Sequence, residues 1–247
     1  MFDPFCDFEE RGYLRNKFGE KNPDIIRHLE HSSFVAGIDN AFRYLAGREY
    51  LSYADVLETH KILFKDMYPW AGQDRAQTAP DIAIGKGGVL FAHPEDARHA
   101  VDYALRVGQD RSLMVTKTGE VMGCLAYGHP FLDGNGRAIM VVHTELSERA
   151  GVSVNWSAAN KNEYLSALTK ELHAPGRGHL DSYLSKFIAA PLGRERLVGH
   201  VSEIKGLRGL VDEDNQVAGK VDDPEVRERY KKLEKQRRAW RAPGDIL

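Results

Sequence analysis

Two apolar stretches, SLMVTKTGEVMGCLAYG and RAIMVVHTELSERAG, flank a polar, glycine-rich turn, HPFLDGNGR, at residues 129–137. The first reads as a buried helix leading into the turn. The second places Ile139, Val142, His143 and Leu146 on one helical face and has Gly151 as its stop. The middle of the chain is thereby committed to buried helices, and its polar chemistry is gathered into one loop.

The same spacing recurs along the chain. PDIIRHLEHSSFVAGIDNAFRYLAG carries apolar residues at Ile26, Leu29, Phe34, Ile38, Phe42 and Leu45, then Gly47 as a stop. SYADVLETHKILFKDMY opens on Ser52 as an N-cap and ends before Pro69. PEDARHAVDYALRVGQD starts with Pro94 in a first turn and closes near Gly108. SAANKNEYLSALTKELH and HLDSYLSKFIAA predict two more helices. Residues 79–92, APDIAIGKGGVLFA, break the rule. Ile82 and Ile84 alternate, GKGG interrupts, and Val89, Leu90 and Phe91 follow, which predicts a short β-hairpin. Its GKGG lacks the spacing of a phosphate-binding P-loop and reads as the hairpin's turn. From Gly193 onward glycines and short β-branched runs replace the helical period, and DDPEVRERYKKLEKQRRAWRAPGD then predicts a charged helix. The expected fold is mostly α, a helical bundle with one short hairpin, over residues 1–192. Residues 193–247 form a small C-terminal extension with short strands.

Composition limits the function. The 247 residues are 42% hydrophobic and 28% charged with a net charge of −2, enough for a sizeable core without staples. A near-neutral chain lacks the basic field of a nucleic-acid binder, so no nucleic-acid partner is expected. Cys6 and Cys124 make neither a disulfide framework nor a metal spacing, and Cys124 lies in an apolar run that buries it. No apolar run reaches membrane-spanning length, and MFDPFCDFEERG has acids where a secretory signal needs bases. A cytoplasmic protein without membrane insertion is expected, with secretion into a host cell left open.

The turn combines residue types that suit a phosphate chain. A helix starting near Asn135 or Gly136 leaves its first N–H groups unpaired and positively polarised. Gly134 and Gly136 let the backbone approach an anion, forming an anion-binding nest. Arg137 adds a planar, permanently charged fork, and Asp133 supplies one hard oxygen for magnesium. His129 stands one short loop earlier and can take a proton from an attacking hydroxyl. Base, metal ligand, nest and arginine are the parts that phosphoryl or nucleotidyl transfer needs, because positioning and charge neutralisation carry most of that work.

HPFLDGNGR resembles the signature of Fic-domain proteins, H-P-F-x-[D/E]-G-N-G-R-x-x-R. GYLRNKFGEKNPDIIRHLE, THKILFKDMYPWAGQDR, IGKGGVLFA and NWSAANKNEYLSAL resemble that family's entry segment, its Trp-Ala-Gly-x-x-Arg corner, its flap hairpin and a later helix, so the likeness spans residues 12–190. The resemblance implies a mostly helical Fic fold and transfer of AMP from ATP, with Mg2+, to a Ser, Thr or Tyr hydroxyl of a target protein, by a toxin or effector. It makes His129 the base, Asp133 the magnesium ligand, Gly134, Asn135 and Gly136 the phosphate cradle and Arg137 the catalytic polyphosphate clamp. Phe131 becomes a packing anchor. It makes residues 82–91 the flap that pins the target by strand addition, with Ile82, Ile84, Leu90 and Phe91 as docking positions. Lys86, Gly87 and Gly88 border the nucleotide there.

Met140 departs from the pattern, standing where the second motif arginine would be. Methionine offers neither charge nor donor. Its presence opens two alternatives: another nucleotide or phosphate-containing donor, or a weakened site serving as an interaction module. The family's inhibitory motif, [S/T]-x-x-x-E-[G/N], is matched only in part, at residues 116–120 and 144–148, so either a separate small antitoxin supplies the brake or Met140 has removed the need for one.

Overall fold

The computed structural model describes residues 16–86, 88–207 and 216–237. Helix α1 (Pro23–Ala46) begins where the Asn22 side chain accepts the N–H groups of Asp24 and Ile25, and its buried stripe runs through Ile26, Phe34, Ile38 and Leu45. A reciprocal capping box between Ser52 and Asp55 opens α2 (Tyr53–Phe64). A single turn, α3 (Arg75–Thr78), leads into the hairpin, and α4 (Ala97–Gln109) follows it. As predicted, α4 closes near Gly108, ending one residue later at Gln109. Gly108 is small because a Cβ there would sit 2.8 Å from Leu146 Cδ1.

The stretch predicted as one helix before the turn is two, α5 (Arg111–Thr116) and α6 (Thr118–Gly128). Asp181 supplies the reason. Its Oδ1 accepts the N–H groups of Gly119 (2.7 Å) and Glu120 (3.0 Å), capping α6 from a distant helix. A Cβ on Gly119 would lie 2.2 Å from Asp181 N, so the close approach requires glycine. After the loop comes α7 (Asn135–Ala150), the central helix, buried on nearly every side and touching α1, α2, α4, α5 and α6. It ends on Gly151 at φ 81°, the expected left-handed cap.

Strand β3 (Ser153–Val154), helix α8 (Lys161–His173) and α9 (His179–Leu184) complete the bundle. The end of HLDSYLSKFIAA is not helical as predicted. Ile188–Ala189 form β4, which pairs with β3 through Ser153 and Val154. The segment after Gly193 does not stand apart from the bundle. Leu197 and Val201 of α10 (Leu197–Ser202) are fully buried in the main core. Glu148 accepts the N–H groups of Leu192 and Gly193, and the buried Glu145 carboxylate pairs with Arg149 and Arg194.

The hairpin forms as expected, β1 (Ile82–Lys86) against β2 (Val89–Leu90). Its other edge is occupied. Strand β5 (Gln216–Lys220) lies antiparallel to β1, giving the order β2-β1-β5. Helix α11 (Pro224–Arg237) then covers one face, where Val226 packs with Ala83 and Leu90 in a small second cluster. No helix among the described residues is long and apolar enough to cross a membrane.

Candidate active site

Loop 129–134 is held open against its own backbone preferences. His129 caps α6 at φ 44°, ψ 57°, the one non-glycine residue at positive φ among those described. Such a conformation costs on the order of 1–3 kcal/mol and persists only when its surroundings over-determine it. Arg75 does much of this. Completely buried, it donates from Nε to the His129 carbonyl (3.0 Å), from Nη2 to the Ala92 carbonyl (2.8 Å) and from its backbone N–H to the Pro130 carbonyl (2.7 Å). Arg75 thereby ties loop 129–134 to the base of the hairpin.

A second buried histidine fixes the far end of the loop. His60 accepts the Gly72 N–H at Nδ1 (2.9 Å), so its Nε2 carries the proton, which it donates to the Asp133 carbonyl (3.0 Å). Its ring stacks on Phe131 at 3.8 Å. Burial above all drives its pKa down to about 3, keeping it neutral. Asn135 closes the turn from inside: its Oδ1 accepts the Phe131 N–H and its Nδ2 donates to the Phe131 carbonyl. Gly134 sits at φ 74°, where a Cβ would meet Phe64 Cε2 at 2.6 Å. Gly136 has nothing within 4 Å of an added Cβ, so packing does not demand glycine there.

The His129 ring stacks face to face on Phe91 at 3.8 Å. One ring nitrogen bonds the Ala126 carbonyl, while Nε2 is buried with no hydrogen-bond partner. Burial, reinforced by the charges of Arg75 and Lys86, holds its pKa well below the usual histidine value. A neutral imidazole with a free Nε2 lone pair is a general base. Asp133 is half-buried, its Oδ1 accepting the Gly134 N–H at 2.7 Å. Burial first, and then the charge of Glu30, push its pKa up to about 7.

Glu30 is a site residue that sequence reasoning missed. It lies on α1 in the buried stripe between Ile26 and Phe34 and pairs through Oε2 with Arg137 Nη1 at 2.5 Å. Tyr68 donates to its other oxygen at 3.3 Å. Arg137 Nε donates to the Leu207 carbonyl at 3.1 Å, so the guanidinium is engaged on two sides. A charged residue at helical spacing inside an apolar stripe was the available signal.

These groups open onto a cavity of about 860 Å3, within the usual range for small-molecule sites. His129, Asp133, Gly134, Asn135, Gly136, Arg137, Lys86 and Phe91 line it, as does Met140. Its apolar wall includes Met122, Ile139, Leu168 and Trp156, the last edge-on to Tyr164. Gly88 is placed elsewhere than expected: it is the left-handed turn residue of the hairpin, at φ 81°, off the cavity lining. Gly87 lies outside the described residues. Ile84 and Leu90 are buried within the protein and Ile82 is half-buried.

Residues 50–146 match the Fic/DOC family. Protein adenylyltransferase VbhT of Bartonella schoenbuchensis is 26% identical over 174 residues, 67% of this chain and 35% of the relative. The probable protein adenylyltransferase y4lH of Sinorhizobium fredii is 28% identical over 178 residues, 68% of this chain and 87% of the relative. This chain thus spans about a third of VbhT and most of y4lH. Among solved structures, the ADP-bound N-terminal Fic domain of a VirB-translocated effector from Bartonella quintana superposes with a TM-score of 0.64. That match has 21% identity and covers 79% of this chain and 99% of that one. BepC of Bartonella tribocorum with bound AMPPNP gives a TM-score of 0.62 at 19% identity, covering 77% and 99%. The motif loop at the head of a buried central helix and the hairpin beside it lie within the stretch that matches the Fic/DOC family, and the chain shares the fold of these Fic domains.

Proposed function

We propose that this protein transfers the AMP moiety of ATP to a hydroxyl side chain of a target protein. The observation that carries the reading is the buried, unpartnered Nε2 of a neutral His129, on the wall of a cavity that also receives the N-terminus of α7. In the step proposed, His129 Nε2 takes the proton of the target hydroxyl as its oxygen attacks the α-phosphorus. The bond to the β-phosphate oxygen breaks and pyrophosphate leaves. Gly134 carries no side-chain cap, so the first amides of α7 face the phosphates, and Gly136 leaves room for their approach. Relatives named as adenylyltransferases support the donor and the product.

Magnesium bound with the triphosphate would neutralise phosphate charge, and Asp133 is the residue to hold it. A lone carboxylate beside the cradle fits that ion, which takes its other ligands from phosphates and water. Among the described residues no cluster of three His, Cys, Asp or Glu side chains builds a cage without substrate. Action as a toxin or translocated effector is supported by the fold shared with VirB-translocated proteins.

The experiment is incubation with labelled ATP, magnesium and a cell lysate, comparing wild type with His129→Ala. Label on protein that persists equally in the variant removes the base. A second reading, a donor with a less charged leaving group, is favoured by Met140. It is 5% exposed, one turn beyond Arg137 on the cavity wall, and brings neither charge nor donor there. Met140→Arg should improve use of ATP relative to other nucleotide donors. An unchanged donor preference excludes the residue from donor choice.

A further inference from the structure

Strand β1 has two edges, and β2 takes one of them. The other is filled by the chain itself. Strand β5 pairs with β1 at Ile82↔Lys220, Ala83↔Gly219, Ile84↔Val217 and Gly85↔Gln216, and the Val221 N–H extends the ladder to the Asp81 carbonyl at 2.9 Å. The edge leads to the active site. Lys86, at the end of β1, lines the cavity, and Phe91, just past β2, stacks on His129. From this geometry we infer that β5 is the resident occupant of the strand-accepting edge of β1, and that an extended target segment enters by exchanging with it. The inference rests on reading the hairpin as the flap that docks the target.

The occupant's chemistry fits this role. β5 reads Gln-Val-Ala-Gly-Lys, with no Ser, Thr or Tyr, so it fills the edge without offering an acceptor hydroxyl. Its hold is shallow. The register breaks between Ala83 and Ile84, and Gly219 at φ 130° interrupts the strand with a conformation open to glycine alone. Behind it α11 buries Val226 against Ala83 and Leu90, while most of its described positions are exposed. A target backbone replaces the same main-chain hydrogen bonds that β5 makes, so the exchange loses little.

A disulfide lock in the full chain tests this. Asp81 and Val221 are hydrogen-bonded, which makes Ile82 and Lys220 a non-hydrogen-bonded pair, with Cα atoms about 4.5 Å apart in such ladders and within disulfide reach. The Ile82→Cys/Lys220→Cys protein is compared oxidised and reduced, beside Val226→Asp, which undocks α11. Two probes are used: a fluorescent peptide of sequence NQVAGKVD, and transfer of label from ATP to lysate proteins. Oxidation should abolish peptide binding and lower transfer at least about tenfold, since the lock removes the open population, and reduction should restore both. Val226→Asp should bind the peptide more tightly than wild type. Peptide binding that ignores the lock, or undiminished transfer by the oxidised protein, overturns the proposal and places targets on the outer edge of β5. If the peptide follows the lock while no variant labels any protein, the exchange stands and adenylyl transfer is what fails.

Discussion

Loop 129–134 is gripped from several elements at once, by His60 of α2, Arg75 of α3, Asn135 of α7 and Phe91 after β2. The β1–β5 edge opposite rests on a broken ladder and a cluster in which only Ala83, Leu90 and Val226 are fully buried. The groups proposed to perform chemistry are therefore held in place from several elements, and the edge proposed to admit a partner is weakly held. Pre-organisation lowers a barrier only where charge develops, and a docking edge has to open. One site uses both kinds of construction because each does a different task.

The sharpest way to break this contrast is to remove the base. His129→Ala should lower transfer by about a hundredfold to ten-thousandfold, the usual worth of general-base catalysis, while nucleotide affinity holds. Loss of nucleotide binding to the same extent, measured by calorimetry, would make His129 a part of the scaffold.

Two glycines in the same turn separate scaffold from ligand contact. Gly134→Ala forces a Cβ to 2.6 Å from Phe64 at φ 74° and should cost about 1–3 kcal/mol of stability by denaturant titration. Gly136→Ala meets nothing within 4 Å, so stability should stay within about 0.5 kcal/mol while nucleotide affinity falls. If both changes alter stability alike, the cradle is packing and not an open site.

The smallest effect concerns the rigid side. Burial keeps His143, whose Nε2 donates to the Thr118 carbonyl, at a pKa of about 4, and His60 at about 3. The unfolded chain protonates both near pH 6.5 and the folded one does not, so their contribution to stability is lost as pH falls below 6.5. For His143 the loss continues to about pH 4 and for His60 to about pH 3. Asp133, held near 7, has the opposite sign: it gains a proton in the folded state and offsets part of the slope between about pH 7 and its unfolded value of 3.8. His143→Gln should flatten the stability profile between pH 6 and pH 4.5 by about one proton, roughly 1.4 kcal/mol per pH unit. An unchanged slope would mean that His143 is not held neutral.

What was legible in the sequence divides along the same line. The central helix after the turn with its cap at Gly151, the cap of α2 at Ser52 and the hairpin at residues 82–90 follow from local spacing, and local spacing is what a sequence displays. So does the gathering of His129, Asp133, Gly134, Gly136 and Arg137 onto one cavity, since they are neighbours in the chain. The residues that hold them come from far away. Glu30 reaches Arg137, His60 reaches Asp133 and Asp181 caps α6 across separations with no sequence period. Strand β5 was the least legible. Its five residues, two of them Gly and Lys, become a strand only because β1 offers an edge.

The central claim is a neutral imidazole passing AMP to a protein hydroxyl. The direct measurement uses ATP labelled at the α-phosphorus in one reaction and at the γ-phosphorus in another, each with lysate and magnesium. Label should stay on protein from the α-position alone and vanish in His129→Ala. Retention of the γ-label, or α-labelling that survives loss of His129, would contradict the account.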